Sequence, residues 1–238
     1  MQKIDSLHSW ISHLSPELRE IVLHHMQPRH FSDGEAVYAL GEEGHELYMV
    51  ESGIVRFCNY SLRGKEIQFA EIRAGDCFGE LSLIDGLYRP FCAYARGSTE
   101  LLVLQKRDFE SLRAAHPEIN VQINKLLSHR LRLAYTVIED ATVLGMRDRL
   151  ARLLARLAYS VGITDEQGGT VLEGFTHESL ARMLGSTREG ISRELKHMEE
   201  AALIRRSYGK ILIPDITALM DTSDGLVGGE SLVPGYKQ

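Results

Sequence analysis

Residues 175–214 constrain this chain most, because they contain the start and stop signals of two short helices in succession. Thr176 is a candidate N-cap, since its hydroxyl can accept a hydrogen bond from a backbone N–H of the first turn. Gly185 is predicted to end this helix, because glycine readily adopts the left-handed backbone that follows a helix. Thr187 is a second candidate cap, and a new helix is predicted from Arg188. Two short helices joined by a turn that contains glycine form a helix-turn-helix.

A β-hairpin is predicted after the second helix. Residues 203–206 and 210–213 are short runs of aliphatic and basic side chains on either side of the turn sequence Ser207-Tyr208-Gly209. A hairpin in this position is the wing of a winged helix-turn-helix. The alternative is an all-helical subdomain that binds another protein and whose charged side chains are merely solvated. The predicted wing argues against that alternative.

The second helix divides its side chains between two faces. Ile191, Leu195 and Met198 recur at helical spacing and predict the face that packs on a core. The opposite face is predicted to carry the polar side chains Arg188, Glu189, Ser192, Arg193 and Lys196. An arginine near the start of such a helix can donate to both acceptors of guanine, and a glutamate can accept from cytosine N4. The stretch therefore predicts DNA binding.

The charge of the chain is compatible with DNA binding only when it is divided along the sequence. The 238 residues include 27 Lys and Arg and 33 Asp and Glu, which gives a net charge of −6. Residues 147–213 alone contain eleven basic and nine acidic side chains, a net charge of +2. Only the surface that faces DNA has to be basic. The length favours two domains, and no apolar run reaches the ~18 residues of a membrane span.

A different pattern covers residues 31–104. Short runs of Val, Ile, Tyr, Phe and Leu are interrupted by turn signals about every ten residues, which is typical of an antiparallel β roll or barrel. Cys58, Cys77 and Cys92 lie in these runs, and we interpret them as buried free thiols in a reducing cytoplasm rather than as a disulfide or metal framework. Residues 1–30 are predicted to form short helices, one of which begins at Ser15-Pro16.

One segment inside this region does not fit a strand. Residues 78–89, F-G-E-L-S-L-I-D-G-L-Y-R, place a Gly-Glu-Leu turn and a short helix before a single arginine. The segment resembles the phosphate-binding cassette of cyclic-nucleotide-binding domains. The resemblance implies an anion site at the backbone N–H groups of Gly79, Glu80, Leu81 and Ser82. It also implies that Glu80 accepts from a ribose hydroxyl and that Arg89 pairs with the cyclic phosphate. The alternative is that Glu80 and Arg89 pair with each other in an empty roll.

A β roll, a long helix and a winged helix-turn-helix in this order resemble the superfamily of bacterial transcription factors that includes the catabolite activator and the fumarate-nitrate regulators. The resemblance covers residues 10–218. It is most specific at residues 185–193, where G-S-T-R-E-G-I-S-R tracks the activator pattern G-C-S-R-E-T-V-G-R. The match implies base contacts by Arg188, Glu189 and Arg193. It implies phosphate contacts by Thr176, Thr187 and Lys196.

The predicted effector site departs from the family at two points. The family usually has Ser, Thr or Ala after the cassette arginine, whereas this chain has Pro90, which offers neither an N–H nor a hydroxyl. The activator presents a Thr-Ser pair to adenine from its long helix, whereas the aligned residues here are Ala134 and Tyr135, followed by Thr136. We expect Pro90, Tyr135 and Thr136 to belong to the effector site, with cyclic AMP as the favoured cyclic nucleotide.

The long helix is predicted to run from His116-Pro117 to residue 144. One apolar line keeps near-heptad spacing through Ile119, Ile123, Leu126, Leu133, Val137, Ala141 and Leu144. A second line beside it consists of Leu127, Leu131, Ala134 and Ile138. One line suits a parallel coiled coil between two subunits, and the other suits packing on the roll. Arg130 interrupts the first line, and Gly145 is the predicted hinge. The alternative is a long helix that stays within one domain.

The sequence therefore predicts an α+β protein with an N-terminal antiparallel β roll, a long dimerisation helix and a C-terminal winged helix-turn-helix. The expected domains cover residues 1–115, 116–145 and 146–220, with a flexible tail over residues 221–238. The predicted function is that of a homodimeric, effector-gated transcription regulator of the cytoplasm. Its expected partners are a pseudo-palindromic site in double-stranded DNA and RNA polymerase, with no role for a membrane or a metal. No combination of nucleophile, base and acid indicates an enzyme.

Three alternatives remain open from the sequence. The first is a DNA-binding protein of the same family that needs no effector or senses a different ligand, which Pro90 favours. The second is a redox or gas sensor with an iron–sulfur cluster or haem, although no cysteine precedes Cys58. The third is a cyclic-nucleotide sensor that regulates an enzyme or a channel, and the winged helix argues against it.

Overall fold

The computed structural model describes residues 8–64 and 66–221. The chain divides into two compact units, the first of which extends to Arg130 and the second of which begins at Leu131. The strands of the first unit are β1 (Gln27–Phe31), β2 (Ala36–Tyr38), β3 (Glu46–Tyr60), β4 (Glu66–Arg73), β5 (Cys77–Phe78) and β6 (Cys92–Gln105). Its helices are α1 (Pro16–His24), α2 (Glu80–Asp85) and α3 (Lys106–Ala115), and α4 (Glu118–Val143) crosses the boundary.

The first unit is an antiparallel sheet, as predicted. The strand order is β1-β6-β3-β4, with β2 paired to β6 and β5 paired to β3. Aromatic side chains fill the core of this sheet, among them Phe31, Tyr38, Tyr48, Phe57 and Phe78. A second core joins the sheet to α1, α3 and α4 around Trp10 and Phe109. The predicted helix start is confirmed, because Ser15 Oγ accepts from Leu18 N at 3.3 Å and Pro16 is the first helical residue.

The two apolar lines of α4 do not separate by helix face. The early members of both lines pack on the core of the first unit, and these are Ile119, Ile123, Leu126 and Leu127. The later members Leu131, Val137 and Ile138 are exposed. The prediction of one packing line and one dimer line is therefore wrong for residues 119–127. Burial depends on position along α4. The apolar residues between 119 and 127 pack on the core of the first unit, whereas Leu131, Val137 and Ile138 are exposed.

The second unit contains α5 (Met146–Val161), β7 (Ile163–Thr164), β8 (Thr170–Glu173), α6 (His177–Leu184), α7 (Arg188–Glu200), β9 (Arg205–Ser207), β10 (Lys210–Ile213) and α8 (Ile216–Asp221). The strands form an antiparallel sheet in the order β7-β8-β10-β9. The sequence interpretation treated residues 165–169 as a loop and missed the strands that flank it. Asp165 shapes this loop, because its Oδ1 accepts from Gln167 N at 3.0 Å and from Gly169 N at 2.6 Å.

A buried ion cluster ties the end of α4 to α5. Asp140 on α4 is buried, and its carboxylate contacts Arg152 Nε at 2.7 Å and Arg156 Nη1 at 2.6 Å. Gly145, the predicted hinge, is the N-cap position of α5.

The α+β fold class is confirmed by the helices and strands of the two units. Within the described ranges no helix is both long enough and apolar enough to cross a membrane. Apart from Asp221, which ends α8, the predicted tail lies outside the described residues.

Candidate DNA-binding and effector sites

The helix-turn-helix is built by local hydrogen bonds at the predicted positions. Thr176 Oγ1 accepts from Ser179 N at 3.1 Å, and Ser179 Oγ accepts from Thr176 N at 2.9 Å, which forms a capping box. Gly185 ends α6 with a φ of 64°. Thr187 Oγ1 accepts from Gly190 N at 3.1 Å and begins α7. Both helix starts and the turn are therefore confirmed at the residues that the sequence indicated.

The two faces of α7 are also those that the sequence predicted. Ile191, Leu195 and Met198 are at most 1% exposed and pack in the core of the second unit. The predicted base-contacting side chains Arg188, Glu189 and Arg193 are exposed, as are the predicted phosphate contacts Thr176, Thr187 and Lys196. The apolar face fixes the rotation of α7, and that rotation presents the polar face to solvent.

The predicted DNA-contacting cations Arg193 and Lys196 on α7 have only weak partners. Arg193 Nε lies 3.6 Å from Glu194 Oε1, and Lys196 Nζ lies 3.7 Å from Glu200 Oε1. Exposed ion pairs of this kind contribute about 0–1 kcal/mol. Little free energy therefore opposes the transfer of these cations to a nucleic acid.

The predicted wing is present as β9 and β10. Arg206 on β9 donates from its backbone N to Glu199 Oε1 at 2.9 Å and from Nε to Glu199 Oε2 at 2.8 Å, which fastens the wing to the end of α7. Tyr208 at the turn is fully exposed. The sequence interpretation placed Arg206 in the first strand of the wing and Tyr208 in its turn, but it assigned no role to either residue.

Arg89 of the cassette is buried and bonded to main-chain carbonyls. Its Nη1 donates to Gly79 O at 2.7 Å, and its Nη2 donates to Glu46 O at 2.6 Å. The guanidinium lies over the ring of Tyr38, 4.3 Å from the centroid. Gly79 has a φ of 86°, and a Cβ there would lie 3.1 Å from the Tyr48 ring and 3.2 Å from Arg89. Glycine is therefore required where the cassette turn meets its arginine.

Glu80 is paired with an arginine that the sequence interpretation had not assigned to the site. Arg130 on α4 donates from Nη1 to Glu80 Oε1 and from Nη2 to Cys77 O at 2.6 Å. The alternative that Glu80 and Arg89 pair with each other is wrong, since each of them has these other partners. The available signal was that Arg130 interrupts an apolar line of α4.

Three buried polar atoms of the cassette have no hydrogen-bond partner within the described chain. They are Glu80 Oε2, Ser82 Oγ and Arg89 Nε. Buried polar atoms are rarely left without partners, because the loss of hydration costs about 1–3 kcal/mol for each. A carboxylate oxygen, a hydroxyl and a guanidinium N–H together fit a ligand that offers both hydroxyl donors and an anion. A ribose cyclic phosphate has these groups.

Glu46, whose carbonyl accepts from Arg89, also carries a side chain that lies in a cluster of polar groups. Burial alone would raise the pKa of the Glu46 carboxyl, but hydrogen bonds from Arg29, Gln105 and Tyr48 lower it to about 2. The distances to Arg29, Tyr48 and Gln105 lie between 2.8 and 2.9 Å. The Glu46 carboxylate is therefore ionised at neutral pH and accepts from three side chains, while the carbonyl of the same residue accepts from Arg89. The sequence interpretation missed Glu46.

Of the remaining predicted effector residues, Leu81 and Pro90 belong to the first unit, and Tyr135 and Thr136 belong to the second. Leu81 is half-buried on α2, and Pro90 is exposed, with its carbonyl accepting from Asn59 Nδ2 at 3.3 Å. Tyr135 and Thr136 lie on α4 in the second unit. Tyr135 is exposed, and Thr136 Oγ1 donates to Arg132 O of its own helix at 3.1 Å. Their contact with a base remains a prediction.

Comparisons with known proteins match the two regions of the chain that contain these candidate sites. Residues 28–116 match the Cyclic nucleotide-binding domain family, and residues 148–222 match the Crp-like helix-turn-helix domain family. The chain is 32% identical over 213 residues to the Cyclic AMP receptor protein of Thermus thermophilus, covering 90% of this chain and 95% of that relative. It is 29% identical over 190 residues to the CRP-like cAMP-activated global transcriptional regulator of Mycobacterium tuberculosis, covering 80% and 85%. A solved structure of a CooA mutant from Carboxydothermus hydrogenoformans is similar with a TM-score of 0.71 at 26% identity, covering 84% of this chain and 88% of that one.

Proposed function

This chain belongs to the CRP/FNR family of transcription regulators, and from that membership we propose that it is a homodimer whose sequence-specific DNA binding is controlled by a cyclic nucleotide. The observation that carries the proposal is the presence of two separate recognition surfaces. One is the exposed polar face of α7, and the other is the buried cassette with its unsatisfied polar atoms. One relative named above is a cAMP-activated global transcriptional regulator, and we propose a regulator rather than an enzyme. We place its action in the cytoplasm, at promoters occupied by RNA polymerase.

DNA reading follows from the exposed face of α7. Arg188 and Arg193 each offer a planar fork of donors that matches the two acceptors of guanine in the major groove, and Glu189 offers an acceptor to cytosine N4. Thr176, Thr187 and Lys196 are also exposed and would supply phosphate contacts, which position the helix but do not read sequence. Residues 147–213, which include α7 and the wing, carry the net charge of +2 that attracts DNA, although the chain as a whole is acidic.

The dimer is supported by an exposed apolar stripe on α4. Leu131, Tyr135 and Ile138 are spaced as neighbours on one helix face, and each is more than half exposed. Apolar side chains at this spacing form the seam of a two-stranded coiled coil. Two copies joined there would present two copies of α7 to half-sites about 34 Å apart on a pseudo-palindrome.

The effector proposal depends on the cassette. Arg89 Nε and the backbone around Gly79 would face the phosphate, while Glu80 Oε2 and Ser82 Oγ would face the sugar hydroxyl. The bound nucleotide supplies a fixed anion and a hydroxyl donor, which satisfy these buried atoms. Binding of the nucleotide would also affect α4, because Arg130 on this helix bonds the same Glu80 carboxylate that would meet the sugar. The relatives named for cyclic AMP support that nucleotide as the effector.

One experiment separates the parts of this proposal. The protein is titrated calorimetrically with cyclic AMP, cyclic GMP and cyclic di-GMP, and bound DNA is selected from a random pool with and without each nucleotide. We expect heat with cyclic AMP and enrichment of a palindrome with half-sites similar to TGTGA in its presence. No enrichment under any condition would reject DNA reading, whereas absence of heat would reject only the nucleotide.

A second candidate is an ungated DNA-binding regulator, or one that senses another ligand. The observation in its favour is that two donor groups of Arg89 are already bonded to Gly79 O and Glu46 O, with Pro90 offering no donor beside them. Selection of the same palindrome without any nucleotide, combined with no heat in the titration, would favour this candidate over the first.

A further inference from the structure

Two of the cysteines face each other across the strands that flank the cassette. In the antiparallel pairing of β3 with β6, Cys58 is the direct partner of Cys92. Directly opposed residues have Cα atoms about 4.5 or 5.5 Å apart, and disulfides span about 4.4–6.8 Å between Cα atoms. The side chains of opposed residues also project from the same face of the sheet. The backbone register is therefore already that of a cross-strand disulfide.

The pair lies on the outer face of the sheet. Phe57, Ala93 and Ala95 belong to the sheet core, and strand side chains alternate between faces, so that Cys58 and Cys92 face away from that core. Cys58 donates its thiol hydrogen to Tyr60 Oη at 4.0 Å. Both thiols are buried on that face, so a small oxidant would reach the pair through the 7% of Cys92 that remains exposed.

The two thiols differ in environment. Cys92 Sγ accepts from Leu40 N at 3.3 Å, and Cys92 is 7% exposed while Cys58 is 0% exposed. Burial raises the pKa of the Cys58 thiol. Cys92 is therefore the thiol that reacts first, and Cys58 is the neighbour that remains protonated beside it.

We propose that Cys58 and Cys92 form a peroxide-oxidised thiol pair that closes to a disulfide and thereby alters the cassette. The Cys92 thiolate attacks one oxygen of hydrogen peroxide, the O–O bond breaks, and a sulfenic acid and hydroxide form. The Cys58 sulfur then attacks the sulfenic sulfur, the S–O bond breaks, and the released hydroxide takes the thiol proton as water. Two thiols and one peroxide thus give one disulfide and two waters, with two electrons passing from sulfur to oxygen.

The disulfide would act on the cassette through the start of β6. Opposed residues have Cβ atoms about 4.5–5.5 Å apart, and a disulfide needs about 3.5–4.5 Å, so closure draws the strands together by roughly 1 Å. Cys92 follows Arg89 by three residues, and Asn59, next to Cys58, donates to the carbonyl of Pro90. The segment between Arg89 and Cys92 is therefore attached to β3 at two points, Pro90 and Cys92. A shift of β3 relative to β6 would move this segment.

The test uses the reduced full-length protein treated with hydrogen peroxide, alkylated and digested for mass spectrometry. We expect a peptide pair joined through Cys58 and Cys92, reversed by dithiothreitol, while Cys77 remains open to alkylation after unfolding. Burial raises the pKa of Cys77 to about 11, which makes it the internal control. Cys77→Ala should form the same bond, and Cys58→Ser should stop at a sulfenic acid on Cys92 that dimedone traps.

Hydrogen exchange of residues 86–91 measures the effect on the cassette without any ligand, and so remains informative even if the proposed nucleotide does not bind. Peroxide should change exchange there at least twofold in the wild type and in Cys77→Ala, and leave Cys58→Ser unchanged. Oxidation of Cys58 and Cys92 without a bond between them, or a bond only between two chains, would overturn the pair. A disulfide with unchanged exchange would overturn its action on the cassette.

Discussion

The cassette and the outer face of α7 are built on opposite principles. The cassette holds its charged side chains in the interior, where Arg89 and Glu80 are bonded to Glu46 O and Arg130, residues distant from them in the sequence. The face of α7 holds its charged side chains in solvent with only weak neighbours. The fold therefore holds the charged side chains of the cassette in place before any ligand binds. The charged side chains on the outer face of α7 have no such strong partners and can rearrange when a ligand binds.

This contrast determines how each site responds to mutation. A buried ion or hydrogen bond that loses one partner leaves the other partner without solvation, and the cost appears in stability as well as in binding. An exposed side chain can be truncated with little change in the free energy of unfolding. The comparison predicts that variants of the cassette change both the free energy of unfolding and ligand binding, whereas variants of the exposed face of α7 change only DNA binding.

The largest effect is expected at Arg130. Arg130→Leu leaves the Glu80 carboxylate buried without its cation, so that the free energy of unfolding should fall by about 3–5 kcal/mol. Denaturant unfolding measures this loss. The matched control is Lys125→Leu, which changes an exposed cation of the same helix and should alter the stability by less than about 0.5 kcal/mol. Equal stability of the two variants would show that the Glu80 pair is not a structural contact.

A comparable effect is expected on assembly from the exposed half of α4. Leu131→Glu or Ile138→Glu would bury a charge in the proposed seam, which should weaken the dimer by more than about 3 kcal/mol, or roughly 100-fold. Sedimentation would show folded monomers with low DNA affinity. Leu126→Glu should instead unfold the first unit, since Leu126 is buried in its core. A monomeric wild type at micromolar concentration would remove the basis for this prediction.

Arg89 tests the cassette side of the comparison directly. Arg89→Leu removes the cation that would meet the phosphate, so cyclic AMP binding should weaken by about 2–4 kcal/mol, or roughly 30- to 1,000-fold. Glu80→Gln should lose less, because it keeps an acceptor for the sugar hydroxyl. Calorimetry measures both, after circular dichroism has confirmed the fold. Arg63→Leu, in the exposed turn between β3 and β4, is the control. Wild-type affinity in Arg89→Leu would contradict the proposed phosphate contact.

Arg188 tests the other side. Arg188→Ala should cost about 1–3 kcal/mol of specific binding and relax the preference at one base position, with unchanged thermal stability. Arg193→Ala should do the same at another position. Lys196→Ala is the matched phosphate variant and should weaken all sequences alike. Thr187→Ala is less suitable, since Thr187 also caps α7. An unchanged base preference in both arginine variants would mean that α7 does not read the sequence.

The smallest effect is expected at Pro90. Pro90→Ser restores a backbone N–H and a hydroxyl beside the cassette arginine and should tighten cyclic AMP binding by about 1 kcal/mol, the usual net contribution of one hydrogen bond. Titration calorimetry at one salt concentration measures the change. Pro90→Ala separates the two donors, because it restores only the N–H. If both variants bind as the wild type does, position 90 does not face the phosphate.

Interactions between residues that are close in the sequence were enough to predict the DNA-binding face. The caps Thr176 and Thr187, the stop at Gly185 and the apolar spacing of Ile191 and Leu195 all act within a few residues of one another. Helix rotation depends on which side chains are apolar, so the outward position of Arg188 follows from the sequence. The antiparallel sheet was predictable for a similar reason, since strand and turn propensities are also local.

The tertiary structure alone decided the partners of the cassette and the division of α4. Arg130 meets Glu80 across 50 positions, and Glu46 meets Arg89 across 43, and no periodicity or propensity encodes contacts at such separations. Likewise, the apolar lines of α4 are continuous in sequence, but Leu126 is buried and Leu131 is exposed because the core that covers them ends between them. Sequence determines which side chains share a helix face, whereas burial and ion pairing depend on which other segments pack against that face.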